Sequence, residues 1–552
     1  MIFLGVVLTQ LLYAQPADTK PVSVWLADER NGYYRNPVLH ADYSDPDAIR
    51  VGSDYYMTAS SFDAIPGLPI LHSKDLVNWR LIGHALRRQP PFEHFEKTQH
   101  GGGVWAPSIR YHEGEFYIYY PDPDFGIYLI KAKDASGPWS EPVLIEAGKG
   151  LIDPCPLWDD DGRNYLVYAY AGSRAGIKSV IAVKSLNAAG DRTLDEGRIV
   201  YDGHQDDPTI EGPKFYKRNG YYYIFAPAGG VATGWQVVLR SRHVYGPYER
   251  RIVMDQGKSQ VNGPHQGAWV DTPKGQHWFL HFQDKDAYGR VVHLQPMKWN
   301  GDWPVIGEDQ DGDGKGEPVA RYKKPNVGAT YETAAPPESD EFESLALGLQ
   351  WQWQANPQAT WAFNAVGGPQ TTAGTRTSVP HGSLRLYSVA WPGEAKNLWD
   401  VPNVLMQKFP AEEFRITTKI DFKPNTKIED ERAGLVIMGQ RYAALGLKST
   451  KEGVRLFYAV CEDAQKGGAE SGTTINGVNS NSIYFRVTVR TGARCQFSYS
   501  VDGNKYVDAG AEFVAAPGKW IGARMGLFCT RVTPINDSGY ADIDWFRVEP
   551  VP

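Results

Sequence analysis

Cysteine is scarce in this chain. Four thiols among 552 residues, Cys155, Cys461, Cys495 and Cys529, are too few to act as a scaffold, and a pairing among the last three stays open. Long apolar runs are also missing. Ile2 to Ala14 is the longest near the start, and it falls short of the roughly 20 residues that a membrane-spanning helix needs. Although it lacks a basic flank, it reads as the core of a signal peptide within residues 1–20, so a secreted or periplasmic location is expected. Nor is there a basic excess. With 57 Lys and Arg against 64 Asp and Glu, interspersed, the net charge is −7, which argues against nucleic acid and anionic membranes as partners. No membrane insertion is expected, and a neutral polar ligand fits better.

What the chain has in abundance is aromatic surface, with 17 Trp and 31 Tyr. Flat rings of this kind can lie against sugars while their polar tips stay hydrogen-bonded, although most will be core. A glycine turn followed by an aromatic strand recurs five times, at Gly52, Gly114, Gly162, Gly220 and Gly275, spaced 48 to 62 residues apart. A period near 50 residues holding several short strands is that of a propeller blade. The expected fold is therefore all-β, with a five-bladed β-propeller over 21–325. A Pro/Ala/Thr-rich linker follows at 326–339, then a β-sandwich over 340–552. There, Ile483, Phe485, Val487 and Val489 alternate with polar neighbours, and Asp502-Gly503 signals a two-residue hairpin.

Seven to ten residues before the five glycines stand Asp45, Trp105, Asp153, Glu211 and His265, expected on the innermost strands near the axis. Carboxylates are costly to bury unless paired or used, so three converging from separate blades mark a functional site. Hydrolysis of a glycosidic bond needs a carboxylic acid for the leaving oxygen and a carboxylate opposite. A third nearby can hold the acid's proton by like-charge repulsion. Trp105 fills the axial slot of the second blade and is a candidate sugar platform. Phe62, in the loop Ser61–Gly67, is a candidate pocket wall. Asp47 should face away from Asp45 by strand alternation. Asp309-Gln-Asp-Gly-Asp-Gly314 opens like an EF-hand but has Ala320 at its twelfth position, and reads as a polar turn. Cys155 has no histidine near it in sequence and reads as a small buried side chain. Trp351 and Trp353 are either core or a glycan-binding strip.

Several segments in order resemble glycoside hydrolase family 43: Asn36 to Gly52 around Ser44-Asp45-Pro46, Val104-Trp-Ala-Pro-Ser-Ile-Arg110, Ile152-Asp153-Pro154, Glu211-Gly-Pro213, Gly289-Arg290, and Asp302-Trp-Pro-Val305. The resemblance implies an inverting glycosidase with Asp45 as general base, Asp153 tuning and orienting the acid, and Glu211 as general acid. It also implies that Arg290 belongs to the active site. Some members hold a structural Ca2+ in the axial channel, largely through waters, beside a histidine matching His265; a hydrogen-bonded structural histidine is the plainer alternative. No cofactor is implied for the chemistry. Trp520 to Cys529 and Ala541 to Trp545 are similar to the concanavalin-like sandwich of exo-acting members, so an enzyme trimming terminal β-D-xylose or α-L-arabinofuranose from xylo- or arabino-oligosaccharides is expected. A retaining fructan hydrolase would call for different residues beside Asp45, Asp153 and Glu211. A non-catalytic glycan-binding protein would not need the intact triad.

Overall fold

Each of the five glycine turns joins the first two strands of a four-stranded antiparallel sheet, and all five glycines have φ between 63° and 86°, a region that other residues enter only at a cost. The computed structural model describes residues 23–365 and 382–552, and between them only the backbone of two short strands, Pro369–Thr372 and Thr375–Ser378. The proposed signal peptide lies outside the described residues.

The first strands of the sheets are Asp47–Val51, Ser108–His112, Leu151–Trp158, Lys214–Arg218 and His265–Asp271. Those of the first four blades pack side by side around an axis; the fifth blade's first strand meets the second strand of the fourth blade, Tyr221–Ala228, and the first strand of the first blade, which closes the ring. Second strands such as Glu115–Asp122 are buried on both faces between adjacent blades. That position explains their continuous Tyr, Phe and Ile runs, which replace the alternation of a half-exposed strand. Closure is reinforced from the two ends of the propeller, where Tyr33–Arg35 pairs with Arg321–Lys323 and Leu39 bridges Val292 of the fifth blade.

The second unit is a sandwich of two eight-stranded sheets. Ile483, Phe485, Val487 and Val489 are all fully buried in it, as the alternation requires. Trp351 and Trp353 also sit in its core, so neither offers a binding strip. One expectation fails. Asp502-Gly503 does not make a two-residue hairpin, because Arg494–Ser500 pairs with Val507–Asp508 across a six-residue connection. The Asp502 carboxylate accepts the backbone N–H groups of Asn504 and Lys505, and this side-chain turn widens the loop. All four cysteines are free and buried.

Sandwich and propeller are fused rather than tethered. Ile65 and Trp353 exchange backbone hydrogen bonds, Trp399 stacks on His100 at 3.7 Å, and Ala287 and Tyr288 of the propeller join the sandwich core. At the centre of this interface is Asp42, only 2% exposed. Its carboxylate accepts the backbone N–H of Arg290 at 3.0 Å, that of Gly522 at 3.2 Å and a guanidinium N–H of Arg524 at 3.1 Å. Removing one partner of a buried pair strands the other. Asp42→Ala is therefore expected to destabilise the protein by about 3–5 kcal/mol, and Asp42→Ala/Arg524→Met by less than Asp42→Ala alone. Denaturant unfolding of the two variants checks the order.

Candidate active site

Asp45, Asp153, Glu211, Phe62, Trp105, His265 and Arg290, named from sequence, all line one cavity of about 330 Å3 at one end of the propeller axis. Only Asp153 and His265 lie within innermost strands. Asp45, Trp105 and Glu211 stand two or three residues ahead of theirs. Asp45 has φ of 55° and Asp153 of 57°, in the left-handed region where Asp is among the few side chains tolerated. These kinks break the ladder and turn the carboxyls toward the axis. The third and fifth blades show it as register breaks between Ile152 and Cys155 and between His265 and Gly267.

Asp45 is 5% exposed. It accepts hydrogen bonds from Ser44 Oγ at 2.7 Å and Ser60 Oγ at 2.5 Å, and Arg290 Nη1 lies 3.3 Å from Oδ1. Arg290 also donates to Ser44 Oγ at 2.8 Å, so two hydroxyls and a guanidinium form one donor cradle. Asp153 accepts the Gly212 N–H at 2.7 Å. Gly212 is in the left-handed region at φ 58°, and a side chain there would run into Gln266, so the residue after Glu211 is bound to be small. Burial, and then the charge on Asp45, holds Asp153 above the ordinary carboxylate range against the pull of that N–H. For Glu211, burial acts first, followed by the charges on Asp153 and Asp45, and again the proton is favoured. A third of the Glu211 side-chain surface faces the cavity. One end of the site thus offers a carboxylate in a donor cradle, and the other a carboxylic acid open to a ligand.

Asp47 is fully buried outside this cavity and binds the Ile109 N–H and Arg110. As expected, it faces away, tying the first blade to the second. His265 is 1% exposed, with Nε2 3.4 Å from Glu211 Oε1. Neither of its ring nitrogens has a hydrogen-bond partner, nor has Gln266 Oε1. Burial, then Arg290 and His281, pushes the imidazole down to about 3, so it stays neutral. The cluster Asp309, Asp311 and Asp313, by contrast, lies in the exposed turn, where Lys315 pairs with Asp313 at 2.9 Å.

Trp105 anchors its indole N–H on Gly101 O at 2.8 Å, and Phe62 bridges Val104 beside it. Sequence reasoning missed the aromatic that faces them. Trp520, from the sandwich, lines the same cavity, is 45% exposed and has φ of 64°. It meets Trp105 edge-on at 6.5 Å. Gly101 admits it, since a Cβ there would lie 2.9 Å from the Trp520 ring. A large aromatic in the turn Pro517-Gly-Lys-Trp520 was the available signal; its docking on a propeller more than 400 residues earlier was not. Ser60 was missed as well.

In comparisons with known proteins, residues 34–304 match the model of glycosyl hydrolases family 43, and residues 339–549 match that of a β-xylosidase C-terminal concanavalin A-like domain. The chain is 42% identical over 510 residues to a protein of Xylanibacter ruminicola that carries a β-xylosidase name, with 91% of this chain and 87% of that one covered. It is 34% identical to a β-xylosidase of Formosa agariphila, over 95% and 91%. A crystal structure of a family 43 protein variant from Bacillus licheniformis superposes with a TM-score of 0.78 at 26% identity, covering 94% of this chain and all of that one.

Because Glu211 is held protonated in part by Asp153, removing that charge should release the proton more readily. Carbon-13 NMR of the glutamate carboxyls is expected to show the Glu211 titration midpoint falling in Asp153→Asn. An unchanged midpoint would mean that burial alone sets it.

Proposed function

The chain belongs to glycosyl hydrolase family 43, and we propose that within it the protein is an inverting exo-glycosidase that releases terminal β-D-xylose or α-L-arabinofuranose from hemicellulose-derived oligosaccharides. The observation that carries this reading is the asymmetry of the acid cluster. Asp45 is furnished only with donors, while Glu211 is pressed toward its protonated form and opens to the cavity. In the proposed reaction, Asp45 takes a proton from a water as its oxygen attacks the anomeric carbon. Glu211 gives its proton to the departing glycosidic oxygen, and Asp153 keeps that proton available. Arg290 orients Asp45, and Trp105 and Phe62 receive the sugar ring. The names of the relatives and of the matched C-terminal domain favour xylose.

Exo-action is supported by the way Trp520 and the Phe62 loop wall the cavity, which leaves about 330 Å3, small for a glycan running through. A Ca2+ near His265 would have one imidazole nitrogen and the Gln266 amide oxygen available, with waters completing its shell. Among the described residues His265 does not belong to any set of three or more His, Cys, Asp or Glu ligand atoms that all lie within 4.8 Å of one another, so the fit is to a hydrated, structural ion. The apolar run Ile2 to Ala14 supports export to the periplasm or medium. Among the described residues no helix is long and apolar enough to cross a membrane.

Hydrolysis of xylotetraose, followed by proton NMR with and without a chelator, tests the function. The first product should be xylose in the inverted anomeric form, the oligomer should shorten one unit at a time, and chelation should lower the rate. Early retained anomer would remove the mechanism; direct release of xylobiose would remove the closed pocket. Roles separate by leaving group. Glu211→Ala should lose about 10²–10⁴-fold in kcat/KM on oligosaccharides yet keep much more on a dinitrophenyl xyloside, whereas Asp45→Ala should be comparably poor on both. Should Asp45→Ala be the variant rescued by the activated leaving group, the two roles exchange.

A further inference from the structure

A second cavity, of about 50 Å3, lies between the two domains and shares no residue with the acid cluster. Trp25 and His40 of the N-terminal segment, His84 of the first blade, and Gln350, Gln407 and Lys408 of the sandwich contribute to its wall. Although much of that wall is apolar, His40 Nδ1, His84 Nδ1, Gln350 Oε1 and Gln407 Nε2 are buried without a hydrogen-bond partner. Four such atoms around one space are more than a native interior leaves unexplained. The Lys408 ammonium stands 4.9 Å from the centre of the Tyr43 ring, and among the described residues no carboxylate lies within ion-pair distance of it. Glu338, the acid in the wall, is occupied by the Ser23 hydroxyl and the Val24 N–H, and burial raises it to about 7. His40 Nε2 is turned toward Lys285 at 3.5 Å and Glu412 at 3.9 Å. The space is thus left with an unmatched cation, a free amide donor on Gln407 and a free amide acceptor on Gln350.

We propose that this interdomain cavity binds a small monovalent anion, of the size of chloride, formate or acetate, on Lys408 and Gln407 Nε2. A water needs about 10–15 Å3 of such volume, so the space admits a chloride with a water or a small carboxylate, and no sugar. Lys408 is partly buried, and burial followed by the charge on Arg524 pushes it down to about 7; an anion restores its charged form in place. The site has a structural consequence. Lys408 stands opposite Arg524 in the sheet register, and Arg524 holds Asp42, so the anion sits next to the contact that docks the sandwich on the propeller.

Thermal unfolding of the full-length protein at constant ionic strength, with gluconate replaced stepwise by chloride or by formate, tests the proposal. The wild-type midpoint should rise saturably by about 2 °C or more, and the anion that saturates at lower concentration is the preferred ligand. Lys408→Met should show no saturable rise. A flat wild-type titration leaves ordered water as the occupant and overturns the proposal; so does an equal rise in Lys408→Met, which places the effect elsewhere. Should Lys408→Met not fold, Gln407→Leu replaces it and is expected to need at least a several-fold higher anion concentration for the same rise. An unchanged titration in that variant also overturns the site.

Discussion

Placing three carboxylates around one axis, almost out of water, is the constraint from which much of this molecule follows. An enclosed carboxylate must be charged and supplied with donors, or else hold a proton. The site uses both solutions within one cavity. Asp45 has two hydroxyls and a guanidinium. Asp153 has a single backbone N–H and Glu211 has no comparable donor set, so a proton is retained by this pair, and it rests on Glu211, which is raised further than Asp153. The left-handed backbone at Asp45 and Asp153 belongs to the same arrangement, because an ordinary extended strand would direct those side chains between blades, where neither a substrate nor each other could be met. Local strain of this sort persists only where the surrounding structure over-determines it, and a closed ring of five sheets does so.

The cradle of Asp45 is in turn held from outside the propeller. Arg290 reaches Asp45 with its side chain, while its backbone N–H is fixed by Asp42, which also binds Arg524 and Gly522 of the sandwich. Two residues before Gly522 stands Trp520, in the cavity wall. One buried carboxylate therefore ties the partner of Asp45 to the aromatic that narrows the pocket. That link is a physical reason for the accessory domain to be rigidly docked: a sandwich on a free linker could not hold Trp520 against Trp105.

Much of this was legible in the sequence, and what was not has a common cause. Five Gly-aromatic turns gave the blades because a turn needing φ above zero and a strand buried on both faces leave local marks. The axial residues were found by counting back from those turns. Trp520, Ser60 and the Asp42 clamp were not found, since their roles depend on contacts between segments up to several hundred residues apart, and nothing in the local pattern distinguishes Asp42 from any other polar residue ahead of a strand. The two-residue hairpin expected at Asp502-Gly503 fails for the opposite reason. A strong local signal was overridden by another local interaction, the Asp502 carboxylate capturing the N–H groups that follow it.

The balance between a closed pocket and an open cleft then rests on very little covalent structure. On the propeller side the wall is Phe62, positive in φ, and Trp105, hung from Gly101; on the sandwich side it is Trp520. Gly101 sits between them with φ of 78°, and its missing side chain is what lets Lys519 and Trp520 approach. A larger residue there would have to displace the Trp520 turn from the propeller while leaving Asp45, Asp153 and Glu211 untouched, since none of them contacts that turn through a hydrogen bond. In the proposed reading, chemistry and chain-end selection are consequently carried by separate parts of the fold. The first is fixed by the axis of the propeller, the second by how far one sandwich loop can descend toward it.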